Sequence, residues 1–246
     1  MVNRPKSDGR CIHCRERLIK ATKDHVFPDS WYPMSTPSEV QRWTAPSCGR
    51  CNHDFGEMEK ELFVRLAFCV DPQNVGASGL SKKAIRSFGI GASGLSEKER
   101  RHRVALRDKI RDEVRPYSSD DQAHVLPGMG PHPEVPAKLQ FQIPIPANML
   151  YLVSKKVVRG CEYWLANGRI IEPPYEIDVA FARELPQDVL QSFAPFGPVY
   201  LGPGFRIRRA GAIDDPGVAM YEIVVWASWT ICAGVLPPPS TENLQS

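Results

Sequence analysis

The sequence has no long apolar run. No stretch approaches the roughly 20 apolar residues needed to span a bilayer, so a membrane-spanning helix is excluded as the basis of its fold. Met1 to Arg10 are polar and lack the apolar segment of a secretory signal. These absences predict a cytoplasmic protein with no membrane partner, in a compartment that keeps thiols reduced. A strong charge of one sign is also missing. The formal net charge of +3 is too small to argue for a nucleic-acid partner and does not argue against one. In a reduced compartment the seven cysteines are not a disulfide framework. Three of them, Cys69, Cys161 and Cys232, are scattered among apolar neighbours and read as small core residues. What remains is an ordinary globular composition, 42% hydrophobic and 24% charged over 246 residues, enough for one large or two modest domains.

The 23 prolines punctuate the chain and suggest its organisation. Residues 1–70 hold two Cys-x-x-Cys pairs and a helix after the second. Residues 71–136 are a charged helical segment followed by a Pro/Gly-rich linker. A six-residue repeat, Gly76 to Ser81 and Gly91 to Ser96, marks two similar helix starts, each ending at a serine that could cap the helix. Ser96 and Glu99 have capping-box spacing, and Leu106, Ile110 and Val114 form a thin apolar stripe behind them. Residues 137–236 read as an α+β domain of unassigned role. It would contain a helix over Asn148–Asn167 stopped by Gly168, a short helix near Pro186, and strands over Val199–Ala210 and Val218–Val235. In the second strand Tyr221, Ile223, Val225, Ala227, Trp229 and Ile231 alternate onto one face. Residues 237–246 read as a disordered tail. The fold class is therefore α+β.

The strongest chemical signal is the pair of knuckles Cys11/Cys14 and Cys48/Cys51. A Cys-x-x-Cys turn points two sulfurs at one place, and two such turns complete a tetrahedral four-thiolate zinc site. Such a site has no open position, so its zinc is structural and replaces missing core in a short segment. Between the knuckles lies Lys23-Asp24-His25-Val26-Phe27-Pro28, and after the second comes Asn52-His53. A carboxylate can hold a hard cation, and the neighbouring imidazole can take a proton from water. In a strand the two side chains would point to opposite faces. Asn52 opens a helix whose Phe55, Met58, Leu62 and Leu66 share a face.

Cys11-x-x-Cys14, Asp24-His25-Val26-x-Pro28 and Cys48-x-x-Cys51-Asn52 together resemble the HNH nuclease pattern, the ββα-metal fold, over about residues 11–66. The resemblance implies an N-terminal zinc-braced ββα-metal module and a metal-dependent endonuclease that hydrolyses DNA phosphodiester bonds. It implies His25 as general base, and Asp24 and Asn52 as ligands of a catalytic divalent cation such as Mg²⁺, with His53 as an alternative to Asn52. It also implies products ending in a 5′-phosphate and a 3′-hydroxyl. The family's central Asn position is taken here by Trp43, with Gln41 and Thr44 as candidate replacements. The alternative reading is a non-catalytic zinc-ribbon module that binds nucleic acid or a protein partner. Outside the module, Arg100, Arg101, Arg103 and Arg107 are the best nucleic-acid-binding candidates, interleaved with acidic residues. His13 reads as a solvated loop histidine, and Glu57, Glu59 and Glu61 as solvated residues that compensate the helix dipole. Lys155, Lys156 and Arg159, and likewise Arg206, Arg208 and Arg209, read as solvated basic faces.

Overall fold

The computed structural model describes residues 4–71, 73–89, 95–118, 126, 129–130, 134–181 and 185–238. The expected disordered tail therefore lies, from residue 239 on, outside the described residues. The chain begins with the first knuckle and runs into β1 (Thr22–His25), which pairs antiparallel with β2 (Thr44–Ser47) so that Asp24 faces Ala45 and His25 faces Thr44. α1 (Gly49–Ala67) follows at once, capped at its start by Cys48, whose sulfur accepts from the Cys51 amide. α2 (Leu80–Phe88) and α3 (Glu97–Glu113) come next. A small ladder of β3 (Arg115–Pro116) with β4 (Phe141–Gln142) leads to α4 (Ala147–Leu165). The rest is β5 (Glu176–Phe181), the short α5 (Gln187–Gln191), β6 (Val199–Tyr200), β7 (Phe205–Gly211), β8 (Ala219–Val225) and β9 (Trp229–Leu236). Strands β5 to β9 form one antiparallel sheet in the order β5-β9-β8-β7-β6.

The local chemistry accounts for most of these boundaries. Ser96 and Glu99 make a reciprocal capping box at the start of α3. α4 buries Leu150, Val153, Val157, Cys161 and Trp164 at helical spacing and ends where Asn167 and Gly168 take left-handed backbone. Ser81 does not cap α2. That helix begins one residue earlier, with Gly79 at φ 76° as its N-cap. The single strand expected over Val218–Val235 is a hairpin. Its turn holds Trp226 and Ala227 at φ 56° and 53°, a conformation usually left to Gly or Asn. Trp226 is held there by its own burial. Its amide donates to the Gly204 carbonyl and its indole N–H to the Trp31 carbonyl at 2.7 Å. The alternation survives the turn, because Val225 pairs with Trp229 and Ile223 with Ile231, and cross-strand partners share a face.

One cluster of buried apolar residues runs from Ile12 to Val235 and draws on all the segments the sequence separates. Phe27 stacks on Phe205 at 4.1 Å, and Trp31 meets Trp226 and Trp229 at 5.5 and 6.0 Å. α4 comes so close to the end of β1 that a Cβ on Gly160 would sit 2.6 Å from Val26 Cγ2. Trp43 is also core. It lies parallel to the Trp164 ring, 5.1 Å away, and the Trp164 indole donates to the Thr44 carbonyl. Trp43→Ala should therefore cost about 3–5 kcal/mol of unfolding free energy in a denaturant titration, the usual loss for emptying a buried aromatic site.

Candidate functional site

The two knuckles converge. The cysteine sulfurs of Cys11, Cys14, Cys48 and Cys51 all lie within 4.8 Å of one another, the one group of this kind among the described residues. Zinc–sulfur bonds of about 2.3 Å put the sulfurs of a tetrahedron about 3.8 Å apart, and Cys14 Sγ and Cys48 Sγ are 3.9 Å apart. The four cysteines thus form a cluster that could hold a metal ion such as zinc. Backbone amides already point at it: Cys48 N–H donates to Cys11 Sγ and Cys51 N–H to Cys48 Sγ, both at 3.4 Å. Burial raises the Cys11 thiol, but the amides of Cys14, Cys48 and His13 outweigh it and bring it down to about 7. Arg159 of α4 is not on a solvated face. Its guanidinium is pushed below its usual range, first by burial and then by Arg15, with the Cys51 and Cys11 sulfurs opposing. A positive side chain there would offset part of the negative charge of a four-thiolate centre.

The cluster fixes β1 against the first turns of α1. Asn52 Nδ2 donates to Thr22 Oγ1 at 3.2 Å. Thr22 and Asp24 are two apart on the strand and share a face, so Asn52 and Asp24 line the same groove between β1 and α1. Asp24 is only 4% exposed. Its Oδ2 meets His13 Nε2 at 2.7 Å and its Oδ1 meets Lys156 Nζ at 3.0 Å. Lys156 reaches in from α4, also contacts Glu59 Oε1 at 2.6 Å, and donates to the His25 carbonyl. Burial would raise the Asp24 carboxyl, but the His13 hydrogen bond and Lys156 hold it below its usual range. His13 is pushed down by burial, with Asp24 opposing. Burial pushes Glu59 up to about 7, against the pull of Lys156.

His13, Glu59 and Lys156 are therefore buried, where their sequence context suggested solvated side chains. Their side chains are 2%, 9% and 2% exposed. The signal for two of them was present in helical phase. Glu59 falls on the stripe of Phe55, Leu62 and Leu66, and Lys156 on that of Val153 and Val157. The fold also reassigns the other basic group. Arg209 is paired with the fully buried Glu162 of α4, and Arg206 and Arg208 with Glu222 across the sheet.

The Glu59 shift has a measurable sign. A carboxyl that titrates near 7 in the fold and near 4.5 when unfolded stabilises the fold below about pH 4.5, and that contribution is lost as pH rises through about 7. Glu59→Gln should flatten this decline in denaturant titrations compared at about pH 5.5 and about pH 8.

His25 faces away from Asp24, as the alternation of a strand requires. Its side chain is 35% exposed, and its Nδ1 lies 3.4 Å from Asp29 Oδ1, which is held in turn by Arg42 at 2.6 Å. His53 is exposed on α1. The structure thus brings Asp24 and Asn52 to one groove, sets His25 on the other side of the strand, and leaves His53 pointing to solvent. Beside the hairpin an open cleft of about 390 Å³ is lined by Arg4, Ser7, Lys23 and Tyr163, among others. On α3, Arg101 pairs with Glu97 and Arg107 with Asp108, while Arg103 donates to the Arg86 and Gly89 carbonyls and Arg100 is exposed. No helix among the described residues is long and apolar enough to cross a membrane. Comparison with family models, with curated proteins and with solved structures gives no match.

Proposed function

We propose that the chain is a zinc-braced endonuclease of the HNH type that hydrolyses DNA phosphodiester bonds, with His25 as the general base. The observation that carries this reading is the brace itself. The four cysteines tie the first knuckle, β2 and α1 together, so the Asp24-His25 strand lies against the helix start that bears Asn52. His25 has the setting of a base: a partly exposed imidazole whose Nδ1 faces the Asp29 carboxylate, leaving Nε2 for a proton. Asp29, fixed by Arg42, places a negative charge beside the ring, where it favours the imidazolium. Water loses its proton to Nε2 as its oxygen attacks phosphorus. The 3′ oxygen leaves and is protonated by solvent, giving a 5′-phosphate and a 3′-hydroxyl. The cleft bearing Arg4 and Lys23 offers cationic contacts to a phosphate backbone.

A divalent cation such as Mg²⁺, held by Asp24 with Asn52 or His53, would neutralise charge on the phosphate. The donors do not fit one as they stand, because both Asp24 oxygens are engaged. The steps assigned here belong to His25, Asp29 and Arg42 alone. That engagement, with Trp43 in the core, favours a second reading: a non-catalytic zinc module that binds nucleic acid or a protein partner. Plasmid cleavage by the zinc-loaded chain and its His25→Ala variant separates the two. Cleavage lost with His25 supports the enzyme. DNA binding that ignores His25, with no cleavage by either protein, supports the binding module.

A further inference from the structure

The groove between β1 and α1 is not vacant ground for a cation; it already holds one. Lys156 Nζ sits where three oxygens meet: Asp24 Oδ1 at 3.0 Å, Glu59 Oε1 at 2.6 Å and the His25 carbonyl. Val26 O stands further off at 3.5 Å. All three side chains are buried. Two buried carboxylates and a main-chain carbonyl aimed at one point are the donor set of a hard divalent cation. Here the charge comes from the chain itself, on a lysine carried in from α4. The ammonium has direct contacts to these oxygens, so an ion and the ammonium cannot occupy the place together.

We propose that Lys156 is a built-in cation that excludes a divalent ion from a site formed by Asp24, Glu59 and the His25 carbonyl, and that withdrawing Lys156 opens that site. The proposal deepens the nuclease reading, on which it rests for the importance of Asp24. It adds two residues from outside the motif, Glu59 and Lys156. It also gives α4 a role at the groove: the helix that covers the hairpin delivers the positive charge that sits between Asp24 and Glu59.

Mn²⁺ binding tests this directly, read by electron paramagnetic resonance on the full-length, zinc-loaded chain. Lys156→Met keeps much of the side-chain length and removes the charge. It should bind one Mn²⁺ about ten-fold or more tighter than the wild type, since ligand charge and access set the affinity of such sites. Adding Glu59→Gln to Lys156→Met should reverse most of that gain. Equal Mn²⁺ affinity in wild type and Lys156→Met would overturn the proposal, as would a gain indifferent to Glu59→Gln. Lys156→Met leaves Glu59 without its partner and Asp24 with His13 alone, so thermal unfolding is followed as well. Mn²⁺ should raise the melting temperature of Lys156→Met and not that of the wild type. If Lys156→Met does not fold alone, Mn²⁺ must restore its fold, and failure to do so also overturns the proposal. None of these readings involves cleavage. A chain that cuts DNA through His25 while Lys156→Met gains no Mn²⁺ would refute this inference and leave the nuclease reading standing.

Discussion

Serine in place of Cys48 should cost the chain its metal and the hairpin its place against α1. Cys48 acts in three ways at once. Its sulfur is one of the four that converge, it caps α1 by accepting from the Cys51 amide, and its own amide donates to Cys11 Sγ. A hydroxyl can replace part of the cap but is a poor ligand for zinc beside three thiolates. Among the described residues, the only sheet β1 belongs to is the short two-stranded ladder with β2, and such a ladder is marginal alone. Zinc binding in such modules is worth on the order of 10 kcal/mol and is inseparable from folding. The expected result is loss of the single zinc from Cys48→Ser, measured by metal analysis, with a lowered melting temperature and faster proteolysis near the hairpin. Cys69→Ser, outside the cluster, should keep its zinc. One tightly held zinc per chain in Cys48→Ser would show that the four cysteines do not act as one centre.

How much of this was legible in the sequence depended on whether the signal was local. The knuckles, the capping box at Ser96 and the stop at Gly168 are set by neighbours a few residues apart, and the structure places them where the spacing puts them. The hairpin turn at Trp226 was not legible. Its positive φ values are held by the distant Gly204 and Trp31 carbonyls rather than by a turn-forming residue type. The same limit applied to the groove. Asp24 and Asn52 could be read as facing one another from motif spacing, but Lys156 lies far along the chain. A lysine reads as solvated until its helical phase is set against the valines beside it. His13 offered less still. Its burial depends on how the knuckle folds over β1 and Phe55, whose ring lies 4.7 Å away.

Alanine in place of His25 should abolish DNA cleavage and leave the fold intact. The side chain is partly exposed and makes no contact that holds the core together. Its carbonyl, which accepts from Lys156, is retained by any residue. Stability should therefore change little, and zinc content not at all. Removing a general base lowers the rate by about 10²–10⁴-fold. Asp29→Asn should cause a smaller loss, because it leaves the imidazole in place and removes only the negative charge beside it. Asp24→Asn would act differently: it strips a charge from a buried cluster, which typically costs about 3–5 kcal/mol, so it reports on folding before it reports on chemistry. His25→Ala is thus the cleaner probe. The decisive measurement is conversion of supercoiled plasmid to nicked and linear forms by zinc-loaded wild type and His25→Ala, with Mg²⁺ and with Mn²⁺. The account predicts cleavage by the wild type and none above background by His25→Ala at equal zinc content and melting temperature. Equal cleavage by both, or none by the wild type with either ion, would contradict it.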